Sequence, residues 1–349
     1  MARGLVVFII LLIVPVFISG CSQVEPKSVE PPDIGGFESE RGVTEHGRPE
    51  PDQAGPDKIA PIDVEPDKVK PAETEPGVLE SARAEPNDLK AVPTVSFNEK
   101  YANILKEFVN DKGMVDYKGL RRKRLEIGAI LQELNKLDPD EYQSWSSEDK
   151  IAFWINVYNL QKLKVVTDNY PIQPSSRILT IFYRGTNSIR HIEEKITTHK
   201  FLVMDEEFTF AMIEKRFFRS EFDDPRIFFA ISSACLSSPP LRNEPYYGHN
   251  LSEQLNEQTE RFLSSPLAFS IDREKRKVYL SALFQSSWYG REFIKKFAID
   301  RKFKDQPVET RAVLNFITNY ISKEDVTFLE TENYTIKYMT YDWTINDGS

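Results

Sequence analysis

Chemistry that needs a soft nucleophile has few places to start in this chain. It holds two cysteines and four histidines, and beyond residue 96 these reduce to Cys235 with His191, His199 and His249. Cys235 lies in the stretch Asp224–Tyr247, just after the apolar run Ile227–Ile231. Following Asp-Pro and ending in a Ser/Pro-rich loop, that run predicts a buried central strand. A loop at the end of a rigid strand is where sites are usually built. A thiol hydrolase or acyl transferase of papain-like or transglutaminase-like logic would need an imidazole beside Cys235, and His249 is the nearest in sequence. The bland alternative is a packed thiol, since cysteine is among the residue types most often buried. Ser232, Ser233, Ser237 and Ser238 flank the prolines and are better suited to turn backbone than to nucleophilic attack. No Cys or His pair falls at metal-ligand spacing, so no metal is expected. There is no glycine-rich phosphate cradle, and no cofactor is expected.

Two further sets of polar residues stand out. Asn156 and Asn159 are three apart inside Ile151–Leu160, a segment apolar nearly all round, and so share one face of a buried helix. A buried amide must have its donors and acceptors paired. They either brace loop backbone or polarise a substrate. Glu214, Asp224, Arg226 and Arg242 form a charged set. An arginine among carboxylates is ordinarily a scaffold brace, and otherwise marks a pocket for an anionic or carboxylate-bearing ligand.

The elements that must position these residues follow from periodicity. Ser96–Glu99 has the form of a capping box ahead of Tyr101, Ile104, Leu105 and Phe108. A second helix carries Leu120, Ile127, Leu131, Leu134 and Leu137, and Ser146 with Asp149 starts a third. Hairpins are predicted at Lys200–Phe210 and at Ala268–Leu280, with a short helix over Ala211–Phe218 between the first of them and the cysteine loop. Leu251–Leu263 and Val308–Ile321 read as amphipathic helices and Tyr334–Met339 as a closing strand. Phe284, Trp288, Tyr289 and Phe293 give an aromatic helical face. Helices early and hairpins later predict an α+β fold, a helical N-terminal part packed on a mainly antiparallel sheet.

The N-terminal quarter is of another kind. Arg3, an uncharged run Gly4–Gly20 and Cys21 have the order of a signal peptide, too short for a comfortable span. Residues 1–20 are expected to be removed, leaving an acylated Cys21 as a membrane anchor. Residues 22–96 hold twelve of the 22 prolines, and seventeen acidic against eight basic residues, a net of −9 that equals the formal charge of the whole chain. Prolines at 51, 56, 61, 66, 71 and 76 keep the backbone extended, so residues 21–96 read as a disordered acidic tether, about 50 Å across as a flexible coil. What remains, 97–349, is near neutral and long enough for one substantial core. It has no basic surplus that would fit nucleic acid.

Several blocks carry a resemblance. Gly113–Tyr117, Phe153–Asn159, Asp224–Arg226, Ser238–Arg242, Val278–Leu280 and Tyr341–Trp343 occur in the order seen in the domain of unknown function 547, over about residues 100–345. The resemblance is to a family found in bacterial exported proteins and, with other attachments, in plants and animals, and it implies little chemistry. In that family a histidine often stands where Phe228 does, cysteines at Ser233 and Ser238, and a histidine at Lys215. Asn156, Asn159, Glu214, Asp224, Arg226 and Arg242 retain the matching polar types. The expectation is therefore a lipid-anchored protein of the bacterial envelope, by its Ser22 sorted to the outer membrane, whose domain binds an envelope ligand or partner protein. The alternatives are a thiol enzyme using Cys235 and His249, and a passive structural lipoprotein.

Overall fold

The computed structural model describes residues 93–174, 187–285, 290–298 and 302–349. The first helix, α1, runs Pro93–Phe108. It begins upstream of the Ser96–Glu99 box, at a proline, whose missing N–H costs nothing in a first helical turn. Phe97, Tyr101, Ile104, Leu105 and Phe108 form its buried face. α2, Arg124–Asn135, buries Ile127, Ile130 and Leu134. α3, Ser147–Asp168, is the axis of the molecule: from Ala152 to Thr167 only Lys164 escapes burial. Its start is the one expected, Ser146 Oγ accepting from Asp149 N at 3.1 Å while donating to the Asp149 carboxylate at 2.6 Å. Trp154 is wholly buried, stacked on Phe217 with centroids 3.9 Å apart, and its indole N–H donates to Tyr142 Oη.

Strands β1 (Phe201–Val203) and β2 (Glu206–Phe208) form the first hairpin. A single turn α4, Phe210–Ile213, then widens into a π-helical segment, Glu214–Glu221. The run Ile227–Ile231 is not a strand. Ile227–Ala230 is a four-residue helix, α5, and only Ile231 is extended. The Asp-Pro-Arg before it decides this: Asp224 accepts from Arg226 N through its side chain and from Ile227 N through its carbonyl, which sets a helical turn going. An apolar run of that length does not by itself separate a strand from a buried helix. α6 (Leu251–Leu263) follows, and then β3 (Phe269–Asp272) and β4 (Lys277–Leu280) as the second hairpin. α7 is Gly290–Phe297. The expected last helix stops at Ile317 as α8 (Val308–Ile317), and a further helix, α9 (Lys323–Thr331), precedes β5, Thr335–Tyr338.

The class is α+β, but among the described residues helix dominates and no single sheet serves as a platform. β1–β2 stands alone, and the second sheet has the order β3–β4–β5 with β5 parallel to β4. Two hydrophobic cores result. The larger surrounds α3; the smaller gathers α8, α9 and the second sheet, including Phe284 and Phe293, while Trp288 and Tyr289 lie outside the described residues. α5 joins them: Ile227, Phe228 and Ala230 belong to the first core and Phe229 to the second. Among the described residues no helix is long and apolar enough to cross a membrane.

Candidate functional site

Both asparagines of α3 are almost inaccessible, and both grip backbone. The Asn156 amide donates to Tyr246 O at 2.8 Å and accepts from Tyr246 N at 2.9 Å. Asn159 donates to Ala230 O at 2.9 Å and accepts from Ser232 N at 3.0 Å. Each amide thus completes the hydrogen bonding of a stretch that has no ladder partner of its own, as buried backbone requires. Their valence is spent on structure, apart from a longer contact of Asn156 with Asn98 at 3.3 Å.

The cysteine loop is held from the other side by the chain's end. Leu236 N donates to Thr344 O, Ser237 N to Asp342 O, and Asn346 N to Ala234 O. Ala234 has φ 60°, a left-handed geometry uncommon for a residue with a Cβ, and its N–H is taken by Ser232 Oγ. Cys235 is buried (2% exposed), with its sulfur 3.5 Å from Tyr341 Oη and its N–H and carbonyl both directed at Ser238 Oγ. Burial pushes the thiol pKa up, the reverse of the shift a nucleophile needs. Its described hydrogen-bond partners include no imidazole. His249 is exposed, next to Gly248, which packs on Asp149 near the start of α3. Ser232 is held at Asn159, ten residues further along that helix, or about 15 Å at 1.5 Å per residue.

Beneath the loop is a group that sequence reasoning missed. Lys162 is 7% exposed, its Nζ 4.0 Å from the Phe210 ring centroid and 5.2 Å from that of Tyr158. Burial lowers its pKa to about 8, against the opposing pull of Glu214 and Cys235. Glu214 accepts from Tyr158 Oη at 2.8 Å. Lys162 continues the three-residue spacing of Asn156 and Asn159, and that spacing was the only signal available for it.

The remaining charged residues do not converge. Arg226 binds Asp224 bidentately, at 3.0 Å and 2.6 Å, and reaches Ser252 and Asn256 on α6. Arg242 bridges Glu244 and Glu257 and lies over the Tyr246 ring. Both arginines fasten loops to α6, the brace geometry expected of such groups. His199 is 3.1 Å from Gln161 Oε1, and burial lowers its pKa. Among the described residues no three His, Cys, Asp or Glu side chains are grouped to hold a metal ion.

An open cleft of about 430 Å³ lies between α1, the first turns of α3 and the Tyr246–His249 segment. Trp145, Phe153 and Tyr247 supply its aromatic faces, and Asn98, Glu99, Asp149 and His249 its polar groups. Glu99 and Asp149 have no ion pair among the described residues. Asn156 lies behind this wall, fixing Tyr246 from within. Gly248 is required where it is: a Cβ there would meet Asp149 Oδ1 at 2.0 Å and Asp149 N at 2.8 Å.

A helix-dominated α+β domain, with amide-braced loops around one buried helix, is the class that fold and site define. Within it, residues 142–263 match the family described as "Protein of unknown function, DUF547". The match runs from just before α3 to the end of α6 and takes in both asparagines, the cysteine loop and His249. It is narrower than the blocks legible in the sequence, leaving Gly113–Tyr117, Val278–Leu280 and Tyr341–Trp343 outside. No curated protein and no solved structure matches the chain.

Proposed function

We propose that this chain is a bacterial envelope lipoprotein, anchored through Cys21, whose globular part binds a ligand bearing a cationic amino group in the cleft between α1, α3 and Tyr246–His249. The observation that carries the reading is the lining: two carboxylates without ion partners, Glu99 and Asp149, set beside the faces of Trp145, Phe153 and Tyr247. Carboxylates with aromatic faces complement an ammonium group by charge and by cation–π attraction. Tether and anchor would keep this cleft available at the membrane without fixing its orientation. A thiol enzyme at Cys235 has less support, because its sulfur is buried, its pKa is raised and its partner is a tyrosine hydroxyl.

The test is calorimetric titration with a lysyl-lysine dipeptide and with the same peptide acetylated on its amines. Binding of the first alone, weakened about tenfold or more in Asp149→Asn and Trp145→Ala, is the expected result. Equal binding of both peptides, or none in the wild type, refutes the ligand class. The anchor is tested separately, by mass spectrometry of the protein extracted from membranes: Cys21 should carry acyl chains, and Cys21→Ser should release the protein from the membrane fraction.

A further inference from the structure

A second surface is built for a different partner. From the α1–α2 connection into the first residues of α2 the chain reads Lys118-Gly-Leu-Arg-Arg-Lys-Arg-Leu125, and Arg121–Lys123 form a 3₁₀ turn with no buried side chain. Lys118, Arg121, Arg122 and Arg124 line a shallow basin of about 630 Å³ together with Leu125 and Tyr170. Among the described residues no acidic side chain lines it. Lys123 is paired with Glu126 at 3.0 Å, but the side chains of the four lining cations have no acceptor among the described residues. Some surface cations elsewhere do meet a carboxylate, Lys100, Lys200, Arg216 and Arg273 among them. Leu125 is 82% exposed, the most exposed large apolar side chain described, at the head of a helix that buries Ile127, Ile130 and Leu134. Two carboxylates beside Tyr170 are already engaged: Asp116 caps the Tyr117–Leu120 turn, and Asp347 accepts from Tyr170 Oη at 2.8 Å.

We propose that this basin docks the domain on an anionic bilayer surface, with Lys118, Arg121, Arg122 and Arg124 on lipid phosphates and Leu125 entering the acyl boundary. Charge alone would suit any polyanion. The leucine selects the occupant, because a protruding apolar side chain ringed by cations gains only where an apolar phase lies just beneath a negative surface. A nucleic acid would be met by aromatic stacking platforms instead, and the one aromatic ring here is stacked on Tyr117 with its hydroxyl tied to Asp347. The proposal needs no acyl anchor. With an anchor, docking becomes a local event that orients the domain on the bilayer.

The test uses residues 22–349, which contain both cores whole and carry no acyl chain. The assay is cosedimentation with vesicles of phosphatidylcholine, with or without phosphatidylglycerol. The chain should partition onto the anionic vesicles only, and less as salt rises. Each cation removed should cost about fivefold in partition, so Arg121→Gln with Arg124→Gln should cost about twenty-five-fold. Leu125→Gln should weaken vesicle binding several-fold and leave binding to soluble polyphosphate unchanged. Lys275→Glu, on the exposed turn of the second hairpin, should bind as wild type. These side chains are exposed, so circular dichroism should report normal folding in every variant. Equal partition onto neutral vesicles, or an unaffected arginine double variant, overturns the proposal. So does vesicle binding indifferent to Leu125, which would make the occupant a soluble polyanion.

Discussion

Asn159→Ala is the sharpest perturbation of the architecture around the cysteine loop. The wild-type amide is 2% exposed and satisfies Ala230 O and Ser232 N at once. Alanine leaves a carbonyl and an N–H with no partner and, in a site that excludes water, no substitute. Each orphaned group costs about 1–3 kcal/mol, so the loss should be roughly 2–6 kcal/mol. That is a large part of the roughly 5–15 kcal/mol by which domains are stable. Urea unfolding followed by tryptophan fluorescence should therefore show a lower midpoint at unchanged slope.

A second readout separates local from global damage. Ser232 leads into Cys235, so loosening its tether should expose the thiol in the native state. If about 3 kcal/mol is lost locally, the open population rises roughly a hundredfold, and labelling of Cys235 by a thiol reagent accelerates by the same factor. Asn159→Asp divides the two bonds. The acceptor for Ser232 N survives, but the other oxygen faces the Ala230 carbonyl, and only a protonated acid can donate to it. That variant should gain stability relative to wild type as pH falls through its raised carboxyl pKa. A midpoint for Asn159→Ala equivalent to within 0.5 kcal/mol of wild type, with unchanged labelling, would refute the claim that the amide is a brace.

Lys162 gives a pH signature. Its folded pKa of about 8 lies below the ordinary lysine value of 10.5, so above pH 8 the unfolded chain holds the extra proton and stability rises with pH until the unfolded lysine also titrates. The full effect is about 3 kcal/mol. Lys162→Met should be more stable than wild type at pH 7 by up to that amount, with the advantage shrinking between pH 8 and 10 in denaturation series; a constant difference sinks the assignment. Gly248→Ala should destabilise by about 1–3 kcal/mol, because the new methyl meets Asp149 N as well as its carboxylate. It should also weaken peptide binding in the cleft, whereas a fully stable, fully binding variant would show that the approach of Gly248 to α3 has no consequence.

Much of the helical frame was legible because its signals are local. The Ser146–Asp149 start, the buried Ile151–Leu160 face, the bounds of α6 and both hairpins follow from caps and periods that neighbouring residues decide among themselves. The Ile227–Ile231 run reads as a strand because burial on all sides erases periodicity, whereas the Asp224 turn ahead of it decides for a helix. α9 lies beyond the periodic Val308–Ile321 pattern, although Ser322 caps it through Asp325 N, a start that carries the same Ser-x-x-Asp signal as Ser146. The asparagines could be singled out by type and spacing, since an amide on an apolar face must be explained. What they hold could not, because Tyr246 and Ser232 are 90 and 73 residues away. The cleft was illegible for the same reason: Glu99, Trp145, Asp149 and Tyr247 come from three separate segments and share no motif.

The chain's end explains why a family match confined to residues 142–263 still describes an incomplete site. Val115 N donates to Asn346 O and Gly348 N returns to Val115 O, while Ile189 N binds Trp343 O and Ile345 N binds Asn187 O. Asn346 adds its side chain, donating to Gly113 O at 2.9 Å and accepting from Tyr117 Oη at 2.9 Å. With the three bonds to the cysteine loop, one extended segment thereby joins the α1–α2 connection, the 187–189 segment and the 234–237 backbone. α3 grips that loop through Asn159 from one side, and residues 341–348 grip it from the other. A loop held on both faces by hydrogen bonds from distant parts of the chain cannot open without breaking several bonds together, and those are the bonds that keep Cys235 buried.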